Sequence, residues 1–173
     1  MAADDSTVDP RPCEVCGVPT TSRRTHTDSI TVAASPRQVY DLVTDIGRTG
    51  EWSPICVGCE WDDGQGPTAG SWFTGHNRTG DTEWTTRSRV EVADPGREFA
   101  WLVNDGLVRW SYAMTPADEG SQLTQSWEFR RAGLQMFHEK WGDEAHERID
   151  LRTQQAIDGI PVTLAAIKKV TET

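Results

Sequence analysis

The feature that most constrains the fold is a series of short segments, between residues 57 and 130, in which apolar and polar side chains alternate. A period of two places alternate side chains on opposite faces of a β-strand, so each segment has one apolar and one polar face. In segment 107–114, for example, one face carries Val108, Trp110, Tyr112 and Met114. Turn sequences such as Asn104-Asp105-Gly106 separate the segments and indicate hairpins. The pattern predicts an antiparallel meander covered on one face.

The last 30 residues have a helical pattern instead. Apolar side chains recur largely at three- and four-residue steps and form one stripe: Ala145, Ile149, Ala156, Ile160, Leu164 and Ile167. We expect Gly159 and Pro161 to bend or interrupt this helix. A shorter helix is predicted to begin at Pro36, with Ser35 as its N-cap. The sequence therefore predicts an α+β fold, in which a curved antiparallel sheet of about six or seven strands wraps around a long C-terminal helix.

Length and charge limit the possible organisation and partners. A chain of 173 residues is the size of one domain. We expect residues 1–25 to form an N-terminal tail with a CxxC knuckle, and residues 26–173 to form a ligand-binding domain. The net charge of −10 argues against nucleic acid and anionic membranes as partners, since both require basic surface; a protein partner is left open. Because no run approaches the roughly 18 apolar residues of a membrane span, and residues 1–12 lack the features of a secretory signal, the expected location is the cytoplasm.

Several short motifs in this order resemble a known family. They are Ile30-Thr31-Val32-Ala33-Ala34-Ser35-Pro36, Gly50-Glu51-Trp52-Ser53-Pro54, Gly70-Ser71-Trp72-Phe73-Thr74-Gly75-His76-Asn77-Arg78, Asp94-Pro95-Gly96-Arg97-Glu98-Phe99, Arg109-Trp110-Ser111-Tyr112 and Thr124-Gln125-Ser126-Trp127. Over about residues 26 to 170 the chain resembles the START/polyketide-cyclase-like superfamily (SRPBCC, the helix-grip fold), of the actinobacterial polyketide cyclase/dehydrase type. The resemblance implies a deep cavity between sheet and helix for a small hydrophobic molecule. Some members of that family catalyse cyclisation or dehydration.

All four cysteines fall in two CxxC pairs, Cys13/Cys16 and Cys56/Cys59. In the cytoplasm such pairs indicate metal ligands or redox groups more often than structural disulfides. Four thiolates around zinc would form a closed structural site, so the sequence predicts a structural zinc ion held by these four residues. Zinc would then fix the N-terminal knuckle beside the turn at Trp52-Ser53-Pro54. Two alternatives are unconnected thiols and redox chemistry; neither CxxC opens a helix that would lower a thiol pKa.

The predicted cavity wall is aromatic with a few polar groups. We expect the ligand-binding residues to be Phe73, Asn77, Trp84, Thr86, Trp101, Trp110, Tyr112, Gln125 and Trp127. Burying a polar side chain costs free energy unless it is paired. The polar members of this set therefore pair with one another, hold water or contact a ligand. Several tryptophans in such a wall would favour flat aromatic or polycyclic guests.

No catalytic dyad is evident in the sequence. His138, between the last strand and the long helix, is a weak candidate for a general base, and a solvated loop histidine is the alternative interpretation. Three hypotheses follow. The first is a protein that binds a small apolar or aromatic molecule and carries a structural zinc site. The second is a cyclase/dehydratase-type enzyme, a lyase or isomerase, that uses the same cavity. The third is a zinc-dependent protein-interaction module.

Overall fold

The computed structural model describes residues 24–173. Within them lie seven strands: β1 (Arg24–Val32), β2 (Cys56–Trp61), β3 (Trp72–Thr79), β4 (Thr82–Asp94), β5 (Glu98–Val103), β6 (Val108–Ala117) and β7 (Gly120–Phe129). They form one sheet in the order β1-β7-β6-β5-β4-β3-β2, and every neighbouring pair is antiparallel. The predicted meander is confirmed; only β1 leaves the sequential order, because it crosses over to pair with β7.

The hairpin between β5 and β6 shows how local sequence sets this topology. Asn104 and Asp105 have φ angles of 46° and 56°. A type I′ turn requires positive φ at both central residues, and asparagine and aspartate tolerate that conformation better than other non-glycine residues. The turn fixes the register so that Trp101 lies opposite Trp110. A turn sequence therefore decides which large aromatic side chains are neighbours on the sheet.

Three α-helices accompany the sheet in the described part of the chain: α1 (Pro36–Thr44), α2 (Arg131–Trp141) and α3 (Ala145–Thr171). At the start of α1, the Ser35 side chain accepts a hydrogen bond from the Gln38 backbone N–H, while the Gln38 side chain accepts one from the Ser35 backbone N–H. This capping box confirms the predicted helix start. The predicted stripe along α3 is buried throughout, so α3 covers the inner face of the sheet.

Two features of the helices differ from the sequence prediction. The expected interruption near Gly159 and Pro161 is absent, because α3 continues through Pro161. A proline removes only one backbone donor, and buried side chains on either side of it, Ile160 and Leu164, hold the helix against the sheet. The segment before α3 is not a simple connection but contains α2, where Leu134 is buried. No helix within residues 24–173 is long and apolar enough to cross a membrane.

Candidate ligand-binding site

A cavity of about 200 Å³ lies between the inner face of the sheet and α3. We call it the main cavity. It is lined by seven of the nine predicted ligand-binding residues: Phe73, Asn77, Thr86, Trp101, Trp110, Tyr112 and Gln125. The helical side is formed by Gln155, Gly159 and Thr163 of α3. Drug-sized pockets begin at roughly 300 Å³, so the main cavity alone suits a molecule of one or two rings.

A second space adjoins the main cavity between the sheet, α2 and α3. We call it the aromatic cleft; its volume is about 400 Å³, and it shares Thr86, Val103 and Trp110 with the main cavity. The remaining two predicted residues, Trp84 and Trp127, line it. The structure thus places all nine predicted residues along one continuous concave surface. That they bind a ligand remains a prediction.

Strand register explains why residues so far apart in sequence meet here. Trp101 lies opposite Trp110, Trp110 opposite Trp127, and Tyr112 opposite Gln125. Side chains directly opposite each other on one face of an antiparallel pair are close enough to interact. The Trp101 ring accordingly lies 5.6 Å from Tyr112 and 6.3 Å from Phe73, measured between ring centroids. The wall of the main cavity is a connected aromatic surface.

The polar groups of the main cavity divide into paired and unpaired ones. Asn77 Nδ2 donates to Thr86 Oγ1 at 3.3 Å, so these two predicted residues bond to each other. Gln125 is only 4% exposed, and its Oε1 has no hydrogen-bond partner among residues 24–173. Trp52 Nε1, on a side chain that is 3% exposed, also has no hydrogen bond of normal geometry, although its indole interacts with the Tyr112 hydroxyl. One unpaired acceptor and one incompletely satisfied donor, both on residues that line the cavity, are therefore found within the described part of the chain.

Tyr112 gives the main cavity a neutral phenol rather than an ionisable base. Burial raises the pKa of Tyr112 well above its ordinary value, and the neighbouring Trp52 indole opposes this shift in part. Among the described residues that line the main cavity there is no histidine, aspartate or glutamate. The site is suited to orienting a ligand through hydrogen bonds and aromatic contacts.

Cys56 and Cys59 also line the main cavity, which the sequence analysis did not foresee. A β-bulge at Val57, between the pairs Cys56–Asn77 and Gly58–His76, turns both thiols to the inner face. Their sulfur atoms lie 3.3 Å apart. The contact with Cys59 lowers the pKa of Cys56 to about 7, whereas the same contact and burial raise the pKa of Cys59.

Only two of the four predicted zinc ligands, Cys56 and Cys59, lie within the described residues. Cys13 and Cys16 lie outside residues 24–173, and within that range no three or more metal-ligating side chains converge. The two described thiols do converge, and a side chain at Gly75 would contact both sulfurs, at 3.7 and 3.8 Å from its Cβ. A tetrahedral zinc site with bonds of about 2.3 Å would place two sulfurs about 3.8 Å apart, so this pair would have to separate by roughly 0.5 Å to occupy two positions of such a site.

His138 lies on α2 rather than in a loop, with its ring 4.9 Å from that of His146. It lines neither the main cavity nor the aromatic cleft. Its role as a general base remains a prediction without a geometric link to the cavity.

Sequence reasoning missed the contribution of the turn before β2 and of α3. Trp52, which is not among the predicted ligand-binding residues, is buried and lines the main cavity. The prediction also did not include Thr163, a polar residue beside the apolar stripe of α3 that is only 5% exposed and lines the main cavity. A buried threonine at a position facing the sheet is the signal that could have identified it.

Known proteins share both this sequence and this architecture. The sequence profile described as polyketide cyclase / dehydrase and lipid transport matches residues 23–153. The chain is 51% identical to the Polyketide_cyc-like protein Cgl2372 from Corynebacterium glutamicum, whose solution structure superposes with a TM-score of 0.68; the match covers 88% of this chain and 93% of that one. A search of curated proteins found no match.

Two more distant structures share the fold. The ZhuI aromatase/cyclase from Streptomyces sp. R1128 is 21% identical, with a TM-score of 0.65 over 87% of this chain and 94% of that one. The di-domain ARO/CYC StfQ from the steffimycin biosynthetic pathway is 16% identical, with a TM-score of 0.66 over 87% of this chain and 51% of that one. At these identities the likeness concerns the fold.

Proposed function

We propose that this chain, which belongs to the polyketide cyclase/dehydrase and lipid transport family, binds a small aromatic molecule in the main cavity. The observation that carries the proposal is the combination of an aromatic wall with two unsatisfied polar atoms, Gln125 Oε1 and Trp52 Nε1. A buried polar group without a partner costs about 1–3 kcal/mol. A ligand hydroxyl would donate to Gln125 Oε1, and a hydroxyl or carbonyl oxygen would accept from Trp52 Nε1, while the ligand rings pack on Trp101 and Phe73.

The expected ligand is a planar molecule of one or two rings with at least one polar substituent. The volume of the main cavity limits the number of rings, and edge-to-face or offset contacts with the wall favour aromatic over aliphatic guests. A larger polycyclic ligand would extend into the aromatic cleft through the shared boundary at Thr86, Val103 and Trp110.

Calorimetric titration of the full chain with 2-naphthol tests this proposal. We expect saturable binding at one site, because the probe offers one hydroxyl and two fused rings. Thr163→Phe, which places a ring in the cavity, should weaken binding at least tenfold. The matched control is Val162→Phe, since the neighbouring side chain is 55% exposed and points away from the cavity. Equal binding by both variants, or no saturable binding by the unaltered chain, would contradict the proposal.

Catalysis by the same cavity is the second candidate. It is favoured by the family description, which names cyclase and dehydrase activity. Proton transfer in the main cavity would depend on Tyr112, on bound water and, in protein without bound metal, on the Cys56 thiol, since the described lining offers no carboxylate or imidazole. Turnover of an aromatic polyketone that is lost in Tyr112→Phe, with 2-naphthol binding retained, would support an enzyme. Binding without turnover would support a binder.

We also propose that Cys56 and Cys59 supply two of four thiolates to a structural zinc ion, with Cys13 and Cys16 supplying the others. The convergence of the two described sulfurs supports the proposal. Zinc would contribute stability and fix the position of the N-terminal knuckle, and its closed thiolate shell would leave no open coordination position for substrate.

A further inference from the structure

The aromatic cleft combines two properties that are rarely found together by chance. Its wall contains six aromatic residues: Trp84, Trp110, Trp127, Phe129, Phe137 and Trp141. Its charged lining residues are both cationic, Lys140 and Arg152, and no aspartate or glutamate is among the described residues that line it. The whole chain, in contrast, has a net charge of −10. A cationic concave surface on an acidic protein requires an explanation.

We propose that the aromatic cleft binds the carboxylate of an aromatic acid, with Arg152 as the residue that recognises the negative charge. This inference rests on the proposed function, because the cleft continues the main cavity. It assigns the ligand a chemical class, an aromatic ring system that bears a carboxylate.

Arg152 is held in place but not neutralised. Its guanidinium carbon lies 5.1 Å from the ring centroid of Trp84, a distance typical of a cation–π contact. Its Nη1 donates to Gln155 Oε1 at 3.1 Å, which is a neutral acceptor. No carboxylate lies within 4 Å of this guanidinium in the described part of the chain. Arg152 therefore keeps its full charge beside the aromatic wall.

Other arginines near Arg152 are neutralised. Arg148, one turn earlier on α3, pairs with Glu144 at 3.0 Å. Arg24 of β1 pairs with Asp150 at 2.5 Å. Arg152 lines the cleft, and it pairs with no aspartate or glutamate among the described residues. Since acidic residues are abundant in this chain, the absence of a described acidic partner at this position is a specific feature of the cleft.

The free edge of Arg152 has the geometry for a carboxylate. Its Nε and Nη2 have no acceptor among residues 24–173, and this edge can bind both oxygens of one carboxylate through parallel hydrogen bonds. Arg48 of the same chain uses the equivalent edge toward Glu51, with Nε–Oε1 and Nη2–Oε2 distances of 2.6 and 2.7 Å. The contact with Trp84 restricts the position of the guanidinium and so reduces the entropy lost when a ligand binds.

The surroundings of Arg152 also favour an anion. Loss of hydration, and secondarily repulsion by Arg148, lower the pKa of Arg152. A bound carboxylate would counter both effects. Lys140 of α2 adds a second positive charge to the lining of the cleft, where its Nζ lies 4.6 Å from the Trp141 ring centroid and pairs with no described carboxylate. Arg152 and Lys140 are both exposed, so a bound carboxylate would stay partly hydrated, and the opposite charge would add selectivity more than affinity.

A pair of matched probes tests the inference: 2-naphthoate and the neutral 2-naphthamide, titrated calorimetrically into the full chain. We expect 2-naphthoate to bind about tenfold more tightly, in line with a charge-assisted pair at a partly exposed site. Arg152→Gln should remove that advantage and leave 2-naphthamide binding within about twofold. Arg152→Lys keeps the positive charge but cannot form the bidentate pair, so it should retain only part of the preference for 2-naphthoate.

Arg89→Gln is the control. Its guanidinium carbon lies 6.0 Å from the Trp72 ring, and the residue lines neither the main cavity nor the aromatic cleft, so neither probe should be affected. Equal affinity of the two probes, or an equal loss of both in Arg152→Gln, would overturn the inference while leaving the proposed function intact. Failure of both probes and of 2-naphthol to bind would instead contradict the proposed function.

Discussion

The sulfur atoms of Cys56 and Cys59 lie 3.3 Å apart on the inner face of the sheet. Residues three apart on a regular strand point to opposite faces. The bulge at Val57 adds one residue to β2, so that Val57 turns outward, 51% exposed, and both cysteines turn inward. One extra backbone residue therefore creates a thiol pair on the wall of the main cavity.

If these thiols hold zinc together with Cys13 and Cys16, the reduced full chain should contain about one zinc ion per molecule. Single substitutions Cys56→Ser and Cys13→Ser should each abolish stoichiometric zinc and lower the melting temperature. Elemental analysis of purified protein measures the metal directly. Reduced protein without zinc, or zinc that persists in Cys13→Ser, would contradict a site built from four thiolates.

Gln125→Met should separate stability from binding. The substitution keeps the volume and removes the unsatisfied Oε1, so we expect the free energy of unfolding to stay the same or rise by about 1 kcal/mol. Binding of 2-naphthol should weaken, because the acceptor is lost. Denaturant unfolding and calorimetry measure the two effects. Gln122→Met, at an exposed position of the same strand, is the control and should change neither quantity. A large loss of stability in Gln125→Met would contradict the prediction, because it would show that the Gln125 amide stabilises the core.

Two helical glycines should respond to alanine in opposite directions. At Gly133 of α2, a Cβ would come within 2.5 Å of the Leu107 carbonyl oxygen and 2.7 Å of the Phe129 ring. We expect Gly133→Ala to destabilise the protein by about 1–3 kcal/mol. At Gly159 of α3, the nearest atom would be Pro54 Cγ at 3.5 Å, an ordinary contact.

Gly159→Ala should therefore stabilise the protein by about 0.5–1 kcal/mol, since alanine has the better helix propensity. Both variants are measured by chemical denaturation at one temperature. Stabilisation of both variants would show that helix propensity, and not the close contact of α2 with the sheet, decides the outcome; destabilisation of both would contradict the prediction for Gly159.

The capping box at Ser35 predicts a purely structural effect. Ser35→Ala removes the side-chain acceptor for the Gln38 backbone N–H and should cost about 1 kcal/mol of stability. Ser35→Asp keeps an acceptor and should retain most of it. Affinity for 2-naphthol should be unchanged in both, because Ser35 lines neither the main cavity nor the aromatic cleft; a change would link α1 to the cavity.

The sequence predicted the sheet and its inner face well because both depend on local rules. Alternation with a period of two decides which side of a strand a residue occupies, and this placed Trp110 and Tyr112 on the cavity wall. Turn residues such as Asn104 decide the hairpins. These signals are contained within a few neighbouring residues and can be read without tertiary structure.

The features that were missed depend on tertiary contacts. The start of α2 has no side-chain cap at Arg130, and this helix packs through pairs such as Phe129–Phe137, at 5.0 Å between ring centroids. Cys56 and Cys59 point inward because of a β-bulge, and no residue in this part of the sequence indicates that bulge. The stacking of Arg152 on Trp84 joins residues 68 positions apart in the sequence. No local pattern contains that information.

The most direct test of a ligand-binding main cavity is a two-dimensional ¹H–¹⁵N NMR titration of the full chain with 2-naphthol, following the indole N–H signals of its eight tryptophans. Trp52, Trp101 and Trp110 line the cavity, whereas Trp72 does not. If 2-naphthol binds in the main cavity, the signals of the first three shift together and saturate at one equivalent, while that of Trp72 stays unchanged. No saturable shift, or a shift of Trp72 as large as those of the other three, would contradict binding there.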